Sequence, residues 1–557
     1  WFNSAGYPLD KNFINTSSWE DWKKQALYIQ NNLSDEDIDN AFAELPKDTQ
    51  DETIDQIKKT LKLRRENIVD ITKDYFTYFK KFETVIGTNE DNKFLITRKD
   101  NGITKIEIEE DDEVIFSNEY DAKETKEIWV YGLDGDDEFK VEGDGNNPIK
   151  LKILGGEEND IYDFDRKAKT KVYDYKSKNN TFENVGSKRL TDSYEINNYD
   201  PTRRKYSSNV VLPSLGFDPD AGFKVGLSDT FTTYGLARNP FTTQHTLSAN
   251  YFSATQGFEF NYYGEFAHIF YNWNLGLDAK YTSANYAINF FGVGNGTSYD
   301  NDIDKDFNRV PIKQWHVAPS LIYRKNSTMK AYFKPSIESY EVDNSFNDFV
   351  SNFYDENNDV FEKQMYAGAE VGFNFNNKGS LIGYPRRGME LDLKAGYKSS
   401  INEDYDNQFT YLNPTVSFVY PIHESGAATV ATRASADFIL GDLGEDYEFY
   451  HAASVGGNES LRGFRNDRFL GETSFFHSTD LRVGITKFRT NFVPIRLGVT
   501  GGFDYGRVWV EGEDSNKIHT SYGGSVFLNG FNAFTANVGY YLSDEDNRLI
   551  FTLGFRF

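Results

Sequence analysis

The chain contains the glycine-rich stretch GGNESLRGF at residues 456–464, followed downstream by FDYGRVW at residues 503–509. Arg462 stands between an apolar residue and Gly463, in a segment whose glycines allow a tight turn and a close approach of neighbouring backbone. In the second stretch, small and polar residues alternate with apolar ones, which places Asp504 on the small, polar face of a strand. An arginine and an aspartate that face a common polar interior can form an ion pair. On spacing alone, a surface-loop arginine and a turn aspartate explain the pattern equally well.

Four short motifs in the last third of the chain resemble those of the Omp85 superfamily of outer-membrane barrels. LRGF at 461–464 is similar to the family's [V/I/L]-R-G-[F/Y] motif. FDYG at 503–506 is similar to its F-x-D-x-G strand, with the aspartate one place closer to the phenylalanine. PRRG at 385–388 is similar to P-x-x-G, and residues 471–482 are similar to G-x(n)-E-L-R, with Asp480 where the family usually has glutamate.

The resemblance implies that Arg462 lies at the tip of a long loop, residues 441–473, which folds into the barrel and is locked there by Asp504. The residues assigned to this barrel lock are Arg462, Gly463, Phe464, Asp480, Asp504 and Gly506. The lock is expected to hold the loop and shape the lumen, and no catalytic residue is assigned. Because the chain ends on an aromatic strand, Phe555 and Phe557 are assigned to a C-terminal assembly signal similar to that of outer-membrane proteins.

Composition favours a membrane β-barrel. Aromatic residues make up 16% of the 557 residues, yet the mean hydropathy is −0.63 and no apolar run is long enough for a spanning helix. Barrel strands hide their hydrophobicity in every second residue. The net charge of −26 argues against a nucleic-acid partner, because phosphate binding needs clustered lysine and arginine. The absence of cysteine excludes disulfides and thiolate metal sites.

Residues 206–557 predict sixteen strands, an even number as expected for a single-chain bacterial barrel. Loops after odd-numbered strands are mostly long and acidic, whereas those after even-numbered strands are mostly short, so the long loops are expected outside the cell and both termini in the periplasm. The predicted fold is therefore all-β dominated. It is a 16-stranded transmembrane antiparallel barrel, preceded by an N-terminal helical segment and a small β-rich domain.

Residues 1–83 are predicted to form a tail and a helical segment, with one long helix from about Thr49 to Phe82. Residues 84–200 carry short β-rich runs separated by acidic turns and are assigned to a small, periplasmic β-rich domain. Two of the turns are similar to the calcium repeat of β-rolls but start 23 residues apart. Acidic turns are the default interpretation, and a weak calcium site is the alternative. Its candidate ligands are Asp134, Asp136, Asp137 and Asp160.

The Omp85 resemblance implies a role in outer-membrane protein assembly or secretion, as part of a larger complex, through a weak seam between the first and last strands. The expected location is the outer membrane of a Gram-negative bacterium. The expected partners are outer-membrane lipid, lipopolysaccharide and other assembly or secretion proteins, with no nucleic acid. One departure from the family is that no repeated β-α-α-β-β units (POTRA domains) precede the barrel. A passive pore is disfavoured because the infolded loop would fill the lumen.

The alternative function is a membrane anchor for a hydrolase. Residues 38–175 carry a looser resemblance to the connecting region of a family in which a calcineurin-like metallophosphoesterase domain precedes an Omp85-type barrel. The chain starts at Trp1 without methionine or leader, which indicates a processed protein or a fragment, so a hydrolase would lie upstream or on a partner chain. The residues themselves predict no enzyme, because all seven histidines lie singly after residue 240, without a dinuclear metal motif. No cofactor is expected apart from the calcium alternative.

Overall fold

The computed structural model divides the chain into two compact units, residues 1–205 and 206–557. It describes residues 6–14, 17–143, 145–146, 148–165, 169–300, 302–344, 348–378, 384–402, 406–490, 493–530 and 534–555. Among these residues, no helix combines the length and the apolar character that crossing a membrane requires.

The first unit begins with helices that pack through aromatic side chains. These are α1 (Tyr7–Phe13), α2 (Trp19–Asn32), α3 (Asp35–Ala43), α4 (Glu52–Glu66) and α5 (Ile68–Lys80), with a short 3-10 turn at Lys47–Thr49. Ser18 and Ser34 begin α2 and α3 with capping boxes, in which an aspartate three residues on returns the serine's hydrogen bond. Phe76 and Phe79 of α5 are buried, whereas α4 buries no residue.

The prediction of one helix from Thr49 to Phe82 is wrong, because Asn67 separates α4 from α5. Asn67 has φ −99° and ψ 11°, outside helical values, and its side-chain amide donates to the carbonyl of Leu63 at 2.8 Å. Asparagine competes in this way with the helical backbone for hydrogen bonds. The break lets the two helices bury different amounts of surface although one apolar stripe runs through both in the sequence.

The rest of the first unit is a two-sheet β-solenoid. Its elements are β1 (Phe82–Ile86), β2 (Lys93–Arg98), β3 (Ile103–Glu110), β4 (Glu113–Asp121), β5 (Glu127–Leu133), β6 (Glu138–Glu142), β7 (Lys150–Gly156), β8 (Ile161–Phe164), β9 (Thr170–Asp174), β10 (Thr181–Glu183), β11 (Lys188–Leu190) and α6 (Tyr194–Asn197). One sheet is parallel with the order β1-β5-β7-β9-β11, and the other has the order β10-β8-β6-β2-β3-β4. From β5 onward the chain passes alternately between the sheets, which enclose an apolar core.

The second unit is a closed antiparallel barrel of sixteen strands, as predicted from the sequence. The strands of the wall are β12 (Ser208–Asp218), β13 (Gly222–Thr233), β14 (Thr243–Phe252), β15 (Gly257–Phe270), β16 (Trp273–Thr282), β18 (Arg309–Arg324), β19 (Met329–Val342), β20 (Gln364–Asn376), β21 (Gly388–Ser400), β22 (Gln408–Pro421), β23 (Ala428–Leu440), β26 (Thr473–Arg489), β27 (Pro494–Trp509), β28 (His519–Gly530), β29 (Phe534–Leu542) and β30 (Asn547–Leu553). The loops contain β17 (Ala287–Asn289), α7 (Phe349–Phe353), β24 (Ala453–Val455), β25 (Phe469–Gly471) and 3-10 turns at Lys305–Asn308, Asp359–Phe361 and Phe449–His451.

The outer face of the barrel is apolar because large hydrophobic residues occupy alternate positions along the strands. On β13, Phe223, Val225 and Leu227 are each more than half exposed, and polar or small residues stand between them. The same period-two pattern places the polar side chains of each strand toward the lumen. An apolar outer band with a polar interior is the arrangement of a barrel that lies in a membrane.

The barrel closes weakly between its first and last strands. β12 pairs with β13 along its whole length, but it pairs with β30 only at Gly216–Thr552 and Phe217–Phe551. β30 is seven residues long and ends at Leu553. Gly554 then turns the chain with φ +98°, so that the strand does not continue beside the first half of β12. We call the junction of β12 and β30 the seam.

Candidate functional site

The loop between β23 and β26, residues 441–472, carries the motif that dominates the sequence. Within it, β24 and β25 pair with each other and bracket the tip, residues 456–468. Apolar side chains fix the tip against the inner wall. Leu461 and Phe464 are fully buried in a cluster with Val455, Phe469, Phe476 and Val508, the last two of which lie on β26 and β27.

Arg462 is the centre of a buried hydrogen-bond network. Its Nε and Nη2 donate to the two carboxylate oxygens of Asp504 on β27, at 2.9 and 2.7 Å. Its Nη1 donates to Asp480 Oδ1 on β26 and to the hydroxyl of Tyr541 on β29, both at 2.8 Å. Ser521 of β28 donates to Asp504 at 2.9 Å. The two-bond contact with Asp504 is the strong geometry for a guanidinium and a carboxylate, so one arginine ties the tip to β26, β27 and β29.

Glycines make room for this network, because they have no side chain. A Cβ atom on Gly502 would lie 2.4 Å from Nη2 of Arg462, and one on Gly463 would lie 2.6 Å from the backbone carbonyl of Leu542. A Cβ atom on Gly506 would lie 2.6 Å from the carbonyl oxygen of Phe475. The small residues on one face of β27 therefore allow the arginine to lie flat on the wall. Phe464, the remaining assigned residue, acts through packing.

Two further arginines of the tip have anchors of their own. Arg465 Nε donates to Asp220, in the turn between β12 and β13, at 2.6 Å. Arg468 Nε donates to Glu545, in the turn between β29 and β30, at 2.7 Å. The sequence analysis did not assign these residues. Their partners lie 245 and 77 positions away, so no local pattern joins them.

The C-terminal aromatic Phe555 does not extend the last strand. It lies beyond the turn at Gly554, and its ring centroid is 5.0 Å from that of Phe527 and 5.6 Å from that of Tyr384. The guanidinium of Arg482 lies 4.2 Å from the same ring. Phe557 lies outside the described residues. The assignment of both residues to an assembly signal stays a prediction.

A polar cavity of about 810 Å³ lies on the inner side of the seam. It is lined by β12 residues from Leu212 to Asp218, by the end of β30 and by Asn458, Glu459 and Asn466 of the tip. A smaller cavity of about 250 Å³ adjoins Arg462 and Asp480. The tip therefore separates the network around Arg462 from an open space beside the seam.

The candidate calcium ligands lie on the solenoid, where they form hydrogen-bond ladders between successive coils. In the buried ladder, the N–H groups of Asn92, Asp137 and Asp160 donate to Oδ1 of Asp137, Asp160 and Asn180 at 2.8–3.0 Å. Asp136 belongs to an exposed ladder, where it accepts from the N–H of Asn159 at 2.9 Å.

These ladders spread the four aspartates over two coils instead of gathering them around one point. Over the described parts of the chain, no three histidine, cysteine, aspartate or glutamate side chains are grouped so that they could hold a metal ion. A calcium site at Asp134, Asp136, Asp137 and Asp160 therefore stays a prediction without geometric support. Burial raises the pKa of Asp137 to about 8, and the nearby carboxylates of Asp91 and Asp136 add to the rise although the N–H of Asn92 opposes it.

The two histidines nearest the tip in the sequence are engaged in the barrel. His451 lies against Glu338 at 3.3 Å and is surrounded by Tyr340, Tyr366 and Phe409. His477 Nε2 lies 2.7 Å from the hydroxyl of Thr432. Nδ1 of His477 has no hydrogen-bond partner among the described residues, so no third group orients this imidazole toward Thr432.

The sequence comparison agrees with the geometry of the tip. Residues 377–530 match the family model described as haemolysin secretion/activation protein ShlB/FhaC/HecB, and this match includes the infolded loop, Asp480 and Asp504. Over these residues the barrel resembles the Omp85 superfamily. No curated protein matches the chain.

Solved structures similar to this barrel include BamA from Haemophilus ducreyi lacking POTRA domains 1–3, with 13% identity and a TM-score of 0.46 over 63% of this chain and 71% of that one. CdiB from Escherichia coli has 14% identity and a TM-score of 0.40, over 62% of each chain. CdiB from Acinetobacter baumannii has 10% identity and a TM-score of 0.37, over 63% of this chain and 60% of that one. The chain therefore spans less than two thirds of the length of either CdiB.

Proposed function

We propose that this chain secretes or inserts client polypeptides at the outer membrane and that the seam between β12 and β30 is where the client engages. The observation that carries the proposal is the extent of pairing at the seam. Only two registered pairs join β30 to β12, whereas eleven join β12 to β13. The match to a family of secretion and activation proteins supports the same function.

The unpaired backbone groups at the edge of β12 can recognise a client. Residues 208–215 have no registered partner on the β30 side within the described chain. An unpaired strand edge presents backbone N–H and C=O groups that can pair with an incoming extended segment. The 810 Å³ cavity behind β12 gives such a segment a polar route to this edge.

The loops support an orientation with both termini in the periplasm. The connections 283–308, 343–363, 441–472 and 510–518 lie on one rim of the barrel and are long, whereas 271–272, 325–328 and 490–493 on the other rim are short. In outer-membrane barrels the long loops are extracellular. The N-terminal unit then lies in the periplasm, where we expect its solenoid to dock other members of a complex in place of POTRA domains.

The test is a disulfide across the seam. Because the chain has no cysteine, Gly216→Cys with Thr552→Cys introduces a single pair, and a Cβ atom at 216 has no neighbour closer than 3.4 Å. We expect the oxidised protein to block the appearance of client proteins in the outer membrane or medium, and reductant to restore it. The readout is quantitative mass spectrometry of both fractions in the native host.

The matched control is Ser228→Cys with Ser248→Cys, a registered pair between β13 and β14 that is closed already. Oxidation of this pair should change nothing. A locked seam that leaves every client protein at its normal level would contradict the proposal. That result would favour the alternative of a membrane anchor for a hydrolase, which needs no moving seam.

A further inference from the structure

The extracellular end of the seam is joined by charges where its backbone pairing stops. Arg548, near the start of β30, places Nη2 2.9 Å from Oδ2 of Asp220 and 3.5 Å from Oδ1 of Asp218. Asp218 ends β12, and Asp220 lies in the turn that follows it. These contacts therefore connect the first strand to the last strand independently of the two backbone pairs.

The infolded loop contributes the third member of this group. Arg465 Nε donates to Oδ1 of Asp220 at 2.6 Å, and the backbone N–H of Asn466 donates to Oδ2 at 2.9 Å. Arg548 in turn donates to the carbonyl of Phe464. The carboxylate of Asp220 thus receives both guanidinium groups and one backbone N–H, and these contacts join the tip of the loop, the turn after β12 and the start of β30.

Burial makes this group sensitive to the loss of any one charge. Asp220, Arg465 and Arg548 are 5%, 1% and 0% exposed. Burial by itself disfavours the ionised carboxylate, but Arg548 and Arg465 outweigh it and lower the pKa of Asp220. Without the Asp220 charge, the two buried guanidinium groups would keep only the carboxylate of Asp218, 3.5 Å from Arg548, an arrangement that a low-dielectric interior penalises strongly.

We propose that Asp220, Arg465 and Arg548 form a clamp that holds the extracellular end of the seam closed and makes its opening depend on the docked position of the infolded loop. The loop binds both the barrel wall and the seam through side chains that lie within four residues of each other. Arg462 binds the wall at β26 and β27, and Arg465 binds the seam. A displacement of the tip therefore removes one arm of the clamp, and the seam opens more easily from the cell surface. This inference deepens the proposed function, because it assigns a control to the same seam.

The clamp can be tested by a distance measurement on the purified, full-length protein without a client. Spin labels at Leu215→Cys and Leu549→Cys report on the outer faces of β12 and β30, where the parent side chains are 40% and 50% exposed. In lipid nanodiscs, we expect one short distance for the labelled parent. Asp220→Asn should add a population of molecules in which the distance between the two labels is longer by at least one strand spacing, about 5 Å.

Two further variants are expected to have smaller effects, and they test the clamp even if Asp220→Asn does not fold. Arg465→Gln should add a smaller population, because Arg548 still holds Asp220. Arg462 contacts neither seam strand. A population with a longer label-to-label distance in Arg462→Gln would therefore show that docking of the loop controls the clamp. Folding of each variant is checked by the heat-dependent shift in gel mobility that intact outer-membrane barrels give.

The matched control is Glu370→Gln, which removes a lumen carboxylate on β20 that pairs with Lys334, away from the seam. Its distance distribution should equal that of the parent. If folded Asp220→Asn and Arg465→Gln also match the parent, the clamp is overturned. If they respond but Arg462→Gln does not, its dependence on the loop is overturned. A disulfide lock that leaves secretion unchanged would contradict the proposed function and leave these distances valid.

Discussion

The barrel and the solenoid both bury aspartates, but they compensate them in different ways. In the barrel, Asp504 accepts three hydrogen bonds from Arg462, one of them from its backbone N–H, and one from Ser521. In the solenoid, Asp137 is 1% exposed and accepts from the backbone N–H of Asn92, with no ion pair to any described side chain. One carboxylate is matched by a cation, and the other only by a neutral donor.

This difference determines whether the folded state favours the ionised or the protonated form of each carboxyl group. A buried carboxylate that is paired with a guanidinium is stable as the anion, and removing the cation leaves a charge without compensation. A buried carboxyl with only neutral donors is stable as the protonated acid, because desolvation disfavours the anion. The two regions should therefore respond in opposite ways to the loss of a charge.

The largest effect is expected from Arg462→Met, which leaves Asp480 and Asp504 buried without their shared cation. Docking of the loop should lose about 3–5 kcal/mol. The measurement is hydrogen exchange of the backbone amides in residues 456–468, which should become much faster. Glu459→Gln is the control, because its pair with Arg433 involves a carboxylate that is 79% exposed and contributes about 1 kcal/mol or less. Equal protection in Arg462→Met and the parent would contradict the barrel lock.

A smaller effect is expected from Gly502→Ala, which keeps every charge but puts a methyl group 2.4 Å from Nη2 of Arg462. Overpacking of this kind costs about 1–3 kcal/mol. The same amides should exchange faster, by less than in Arg462→Met. The neighbouring glycine gives a matched control, since a Cβ atom on Gly501 would meet nothing within 4 Å. Equal effects of the two alanines would show that the space beside Arg462 does not matter.

The solenoid should lose stability as the pH rises. Burial raises the pKa of Asp137 from its ordinary value of 3.8 to about 8, so the folded state holds a proton that the unfolded state has released. Stability is therefore full below about pH 4 and falls across the range up to about pH 8, by about 1–3 kcal/mol. Exchange of the amides in residues 128–141, corrected for the intrinsic rate, should show less protection at pH 8 than at pH 5. Constant or rising protection would contradict this account.

The smallest effect is expected from Asp137→Asn, which should stabilise the solenoid at pH 8 by about 1 kcal/mol and by less at pH 5. The reason is that Asn92 and Asn180 already occupy the equivalent rungs of the ladder, so the amide fits without a charge. The gain is partial because Asp160 and Asp174 remain, and burial raises the pKa of both. A loss of stability at pH 8 would show that the anion is needed at this position.

The features that the sequence predicts are each marked by residues that lie close together in the chain. The barrel strands repeat an apolar side chain at every second residue, and Arg462 and Asp504 each lie in a short motif that resembles a known family. The clamp had no such signal, because Asp220 and Arg548 are 328 positions apart and each is an ordinary charged residue in its own surroundings. Only the closed ring brings the first and last strands together.

The solenoid has a local sequence signal of its own, a glycine five residues before a buried ladder residue. Gly132 precedes Asp137 by five residues and Gly155 precedes Asp160 by five, and a Cβ atom on either glycine would lie within 2.0 Å of the carboxylate that follows it. Gly87 and Asn92 repeat the spacing one coil earlier. The 23-residue separation that argued against a β-roll is the length of one solenoid coil. The rungs Asn92, Asp137, Asp160 and Asn180 are 45, 23 and 20 residues apart, so the ladder has no fixed period in the sequence.

The short last strand has a consequence for the bilayer around the protein. Half of the backbone N–H and C=O groups of residues 208–215 point toward the side where β30 does not reach. Hydrocarbon tails offer these groups no hydrogen bonds, and each unsatisfied group costs several kcal/mol. Lipid next to this edge must therefore thin or admit water until another strand pairs with it.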